Sequence, residues 1–158
     1  MPDEHLYYWD ANLFMSYLNG DSDRLPVIEA ILDEIEKGGK DKIVTSVLSK
    51  IEVAWVASEK VNRALSAEEE ANIDSLWNDY SVIELVDFSD EVTHIARSIL
   101  RRSMTRGWKP KTMDAIHLAT AEWVGATEMH TYDSNLYKYG ELIGIEVKAP
   151  IAMQPKLL

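Results

Sequence analysis

Four carboxylates sit where a strand ends or where charge is awkward. Asp10 directly follows the apolar run "LYYW", Asp133 follows "EMHTY", Asp114 opens the almost wholly apolar segment "DAIHLATAEW", and Glu52 falls between Leu48 and Val56 in "TSVLSKIEVAWV". On a helix those two neighbours lie one turn before and after Glu52, which sets it against the apolar face. Carboxylates are hard oxygen ligands suited to Mg2+ or Mn2+, and acids brought together repel one another until a cation relieves them. A divalent ion activates water and neutralises charge on a phosphate, the two needs of phosphodiester hydrolysis. Each acid alone also has an ordinary explanation: Asp10 as a helix cap, Asp114 as a servant of the helix dipole, Asp133 as a turn residue, Glu52 as a side chain edging into solvent. His117, Met15, Met104 and the five tryptophans are read as core or rim, since amphipathic side chains pack well without a ligand.

The elements that must position these acids alternate between strand and helix. Residues 6–9 read as a strand running into the helical stretch "ANLFMSYL", and residues 25–37 have helical apolar spacing stopped by "GGKD". The strand "KIVTS" leads into a helix over 46–65 capped by Thr45 or Ser46, and Ser66 with Glu69 forms a capping-box signature for the next helix. "SVIELVDF" reads as a strand; residues 90–106 read as a helix with acids first and arginines last, its arginines opposite the apolar face of Val92, Ile95, Ala96, Ile99 and Leu100. After the buried helix containing Asp114 come the strand "EMHTY", a turn at "DSN", a short helical piece and a last strand near "IEVKA". This order predicts an α/β/α sandwich with a mostly parallel central sheet. Such sheets bind ligands at the carboxyl ends of their strands, near the point where strand order reverses.

The length of 158 residues suits one domain, expected over 1–150 with an irregular tail over 151–158. Absence of cysteine excludes disulfides and thiolate metal sites and makes a reducing compartment the easy inference. No apolar run approaches a membrane span and the start is acidic, so a cytoplasmic protein is expected. A net charge of −11 argues against a nucleic-acid partner, but the charge is segregated. Residues 97–111 hold Arg97, Arg101, Arg102, Arg106, Lys109 and Lys111 with no acid, a segment of +6 against −17 elsewhere, which together make the −11.

The ordered set "YYWDANLF", "TSVLSKIEVAW", "KPKTMDAIHLATA" and "MHTYDSNL" resembles the PIN domain, and within it the toxin ribonucleases of the VapC type, from about Leu6 to Lys148. The resemblance implies that Asp10, Glu52, Asp114 and Asp133 hold divalent metal, Mg2+ or Mn2+, and carry catalysis, with Asn12 and Thr131 as supporting polar residues. Asn135, also taken as supporting, stands where some members have another acid, so one ion and two ions both stay open. Trp9 stands where small or aliphatic residues are more usual. The implied function is hydrolysis of RNA phosphodiesters to 5′-phosphate and 3′-hydroxyl ends by the toxin of a toxin–antitoxin pair. The six cations of 97–111 would hold the RNA, an antitoxin would mask the site, and a homodimer is implied, with the residues around Trp55 and Trp77 as the expected interface. A non-catalytic PIN-fold module binding RNA or protein is the alternative. A phosphatase using a second aspartate two residues after the first is disfavoured by Asn12, and a receiver domain by the lack of an acidic pair in "WDAN".

Overall fold

A computed structural model describes residues 4–79 and 81–151; residues 152–158 of the expected tail lie outside the described residues. The strands are β1 (Leu6–Trp9), β2 (Lys42–Ser46), β3 (Ile83–Val86), β4 (Glu128–His130) and β5 (Glu146–Lys148). The helices are α1 (Ala11–Asn19), α2 (Leu25–Gly38), α3 (Leu48–Val61), α4 (Ala67–Asp79), α5 (Asp90–Thr105), α6 (Thr112–Trp123) and α7 (Gly140–Ile143), with a 3-10 helix over Ser134–Tyr139 before the last of these. The five strands form one sheet in the order β3-β2-β1-β4-β5, and every pairing is parallel. From β1 the order runs to β2 on one side and to β4 on the other, so the carboxyl ends of β1 and β4 flank the switch point. The expected sandwich is the observed architecture.

Alternation along the strands sends neighbours to opposite layers. Tyr8 and Val44 pack with Val92, Ile99 and Leu118 of α5 and α6 on one face. Trp9 and Ile43 pack on the other with Leu13, Ile28, Val53 and Leu76 of α1 to α4. Helix α6 is buried at every position from Ala115 to Ala121, as its composition predicts. Gly39 ends α2 at φ 71, a conformation costly for a residue with a Cβ. The expected capping box forms: Ser66 accepts from the Glu69 N–H at 3.1 Å, and Glu69 accepts from the Ser66 N–H at 3.0 Å.

Three expectations need correction. Helix α3 begins at Leu48 with Val47, rather than Thr45 or Ser46, at its N-cap, and ends at Val61 rather than near 65. Trp77 is no surface residue; it is 7% exposed and its ring lies 4.9 Å from that of Phe14, inside the core. Trp55, by contrast, is 64% exposed. Nor do all arginines of α5 face solvent: Arg102 is half-buried and donates to the Leu142 carbonyl at 2.9 Å, tying α5 to α7. Among the described residues no helix is long and apolar enough to cross a membrane.

Gly140 makes the closest backbone approach in this region. A Cβ there would lie 2.7 Å from the Ile145 carbonyl oxygen, a backbone atom that cannot swing aside. Gly140→Ala should therefore lower stability by about 1–3 kcal/mol in a thermal unfolding measurement; an unchanged melting temperature would contradict the packing described.

Candidate functional site

Asp10 leaves the carboxyl end of β1 and occupies the N-cap position of α1, yet its side chain makes no capping hydrogen bond. It is 3% exposed, and its Oδ1 is buried without a hydrogen-bond partner. An unsatisfied buried acceptor costs about 1–3 kcal/mol, and more when charged. Burial pushes the Asp10 carboxyl up to about 6; His117 and Thr131 oppose that rise, and the charge of Glu52 adds to it. An ordinary cap would show the reverse, a satisfied oxygen and a depressed pKa.

Asn12, in the first turn of α1, accepts at long range from the Thr131 hydroxyl (3.5 Å) and the Tyr132 N–H (3.4 Å). The Thr131 hydroxyl in turn accepts from the Asp133 N–H at 3.1 Å. These two residues thus tie the loop after β4 to the start of α1. Asp133 itself accepts from the Asn135 N–H at 3.0 Å, so it does serve the turn, through one oxygen.

Asp114 stands in the first turn of α6, half-buried. Burial raises its pKa, the charges of Asp133 and Glu52 add to the rise, and His117 and Lys111 oppose it. Glu52 projects from α3, and its Oε1 lies 2.5 Å from Nε2 of His117. Nδ1 of the same ring lies 2.6 Å from the Tyr8 hydroxyl. Burial disfavours the His117 cation, but the Glu52 hydrogen bond and the charges of Glu52, Asp10 and Asp114 outweigh it, so the His117 pKa is raised. Asp10 feels the charge of Glu52, Asp114 feels those of Glu52 and Asp133, and His117 faces Asp10, Glu52 and Asp114. Among the described residues, no three His, Asp or Glu side chains are already gathered into a set that could hold an ion. Glu52 has one oxygen committed to His117 and Asp133 one to its turn.

Beside them a cleft of about 280 Å³ is lined by Asp114, Asp133, Asn135, Lys109, Lys111 and Lys138. Of the six cations singled out in the sequence, Lys109 and Lys111 thus stand with the acids. Arg97 and Arg101 are exposed on α5, while Arg102 bonds to Leu142 and Arg106 pairs with Glu141 at 2.9 Å. Sequence reasoning passed over Lys138 and took His117 for core. A signal for His117 existed: it follows Asp114 by three residues on a buried helix, which puts both on one side.

Carboxylate oxygens are donors of the kind a hard divalent cation takes, and among the described residues Asp10 Oδ1 is a buried one without a partner. Comparison with known proteins agrees with this picture of the fold. The PIN domain family model matches residues 7–142. No curated protein sequence matches at a significant level. Among solved structures, VapBC2 from Rickettsia felis, bound to a DNA fragment from its promoter, is similar at a TM-score of 0.69 and 18% identity, covering 92% of this chain and 98% of that one. FitAcB from Neisseria gonorrhoeae is similar at 0.66 and 17%, covering 91% and 97%. VapC20 of Mycobacterium tuberculosis, a sarcin–ricin loop cleaving toxin, is similar at 0.64 and 12%, covering 94% and 99%. At these identities the likeness is one of fold.

Proposed function

This chain belongs to the PIN domain family, and from that premise we propose that it is a Mg2+- or Mn2+-dependent endoribonuclease, the toxin of a toxin–antitoxin pair. The observation that carries the reading is Asp10: a carboxylate buried at the switch point with one oxygen left without a partner. A fold keeps so unfavourable a group where something else completes it. The similar folds support the biological setting, since they include a toxin–antitoxin complex from Klebsiella pneumoniae and a sarcin–ricin loop cleaving toxin.

In this reading Asp10, Glu52 and Asp114 would hold the ion, and Asp133 would complete the site or orient the attacking water. When bound, such a cation would supply positive charge against the scissile phosphate and a lowered pKa for nearby water. Asn12 and Thr131 keep the Asp133 loop against the start of α1, beside Asp10. Asn135 supports that loop through its backbone N–H. Lys109 and Lys111 offset the acidic mouth of the cleft and hold the RNA backbone there, with Arg97 and Arg101 extending the contact along α5. Arg102 and Arg106 hold α7 and so contribute to RNA binding through that support. A protein antitoxin masking the cleft, a homodimer using the exposed Trp55 face, a cytoplasmic setting and a single domain over 1–150 complete the proposal.

The test is incubation of purified protein with single-stranded RNA, with Mn2+ and with chelator. Metal-dependent cleavage leaving 5′-phosphate ends is expected. Binding without cleavage at any metal concentration would instead favour a non-catalytic RNA-binding module. For RNA binding itself, Lys109→Glu and Lys111→Glu should each reduce the salt slope of affinity by about one. Slopes equal to that of the unaltered protein would remove the two lysines from the interface.

A further inference from the structure

We infer that His117, braced by Tyr8, is a positioning residue for Glu52: it holds one carboxylate oxygen of Glu52 and leaves the other to be presented to the site. The inference rests on the metal-dependent reading above and assigns a task to a residue that otherwise has no reason to be polar.

The sequence offers that reason no help, because α6 is buried along seven consecutive positions and an aliphatic residue at 117 would suit the core. His117 is 2% exposed and Tyr8 is fully buried, yet both carry polar groups to the centre of the protein. Every one of those groups has a partner. The Ser46 N–H donates to the Tyr8 oxygen at 3.2 Å, the Tyr8 hydroxyl lies 2.6 Å from His117 Nδ1, and His117 Nε2 lies 2.5 Å from Glu52 Oε1. Two lone pairs facing one another at the last distance would repel, so a proton lies between Nε2 and the carboxylate. In the neutral ring with that proton on Nε2, the Tyr8 O–H donates to Nδ1; in the imidazolium, Nδ1–H donates to the Tyr8 oxygen, and Nε2 donates to Glu52 either way. The rings also meet edge to face, with centroids 5.8 Å apart, which fixes the imidazole plane.

The geometry explains how a glutamate on α3 can be held still. Glu52 has three side-chain bonds to order, and α3 leaves its outer face exposed at Ile51 and Trp55. A buried imidazole donating to one oxygen removes most of that freedom before any ligand arrives. Tyr8 lies on β1 two residues before Asp10, so the strand that anchors the brace leads directly into that buried acid.

The experiment measures Mn2+ affinity by electron paramagnetic resonance for the unaltered protein, His117→Leu, His117→Gln and Tyr8→Phe, together with melting temperatures. Removing such a supporting contact typically weakens metal binding by about 10- to 100-fold, so His117→Leu should do so. His117→Gln keeps a donor able to reach Glu52 and should bind within about threefold of the unaltered protein. Tyr8→Phe, which leaves the imidazole in place without its brace, should fall between the two. If His117→Leu does not fold, the ordering of the other two variants carries the distinction: Tyr8→Phe binding as tightly as the unaltered protein, or His117→Gln weakened in full, overturns the inference. Lowered melting temperatures with unchanged Mn2+ affinity in all three variants make the triad purely structural and overturn it as well. No Mn2+ binding by the unaltered protein overturns the metal-dependent reading itself, and the inference with it.

Discussion

Asp10→Asn is expected to stabilise the metal-free protein near neutral pH while removing its activity. Burial raises the Asp10 carboxyl from its ordinary range to about 6. A group whose pKa is higher in the folded than in the unfolded state binds protons more tightly when folded. Its favourable contribution is therefore complete below the unfolded value near 4 and is lost as pH climbs through about 6. Over that window the loss amounts to about 3 kcal/mol, at 1.36 kcal/mol for each unit of pKa. Asparagine is nearly isosteric and never ionises, so the variant escapes this loss. At about pH 8 it should melt on the order of 5–10 °C above the metal-free unaltered protein, and the gap should close as pH falls toward about 4. Saturating Mn2+ should raise the unaltered protein and leave the variant unmoved, since only a state that binds the ion is stabilised by it. The activity loss should be on the order of 10³-fold, because a metal contributes several kcal/mol of charge stabilisation to such reactions. A variant that melts below the unaltered protein at every pH would mean that Asp10 serves the fold.

Asp114→Asn should lose activity to a similar degree by a different balance. Asp114 is half-buried at the start of α6, where asparagine is well tolerated, so stability should change little. What the change removes is a charge that Asp133 and Glu52 each feel, since both raise the Asp114 pKa. Asp133→Asn should be the milder substitution, because asparagine keeps an oxygen able to accept from the Asn135 N–H and so preserves the turn. Since the acids are proposed to act on one ion, Asp10→Asn combined with Asp114→Asn should be about as inactive as either alone. The measurement is single-turnover RNA cleavage at saturating metal. Losses that multiply in the double variant would place the two carboxylates in separate functions.

The architecture was legible because its signals are local. Short strand-like runs, helical apolar spacing, a capping box at Ser66 and Glu69 and the order of elements imply the mostly parallel sheet with Asp10 at a strand end. Position of the four acids was legible to the same extent: two follow strands, one opens a buried helix and one interrupts an apolar face. Their orientation was not. That Asp10 forgoes its capping bond, or that Glu52 meets a histidine 65 residues away, depends on which helices cross at the sheet edge. Arg102 was misplaced for the same reason, since its partner Leu142 lies 40 residues along the chain. Trp77 is a different failure, because its signal was local and went unused: Ile73, Leu76 and Trp77 recur at helical spacing and form the buried stripe of α4. His117 carried its signal in its spacing from Asp114, but a polar residue on an apolar helix gains meaning only once its partners are known.

Calorimetric titration of Mn2+ into the metal-free protein addresses the shared site most directly. Saturable binding is expected, abolished by Asp10→Asn or Asp114→Asn, weakened by Glu52→Gln and reduced least by Asp133→Asn. Binding that none of these four substitutions alters, or no binding by the unaltered protein at millimolar Mn2+, would contradict the account.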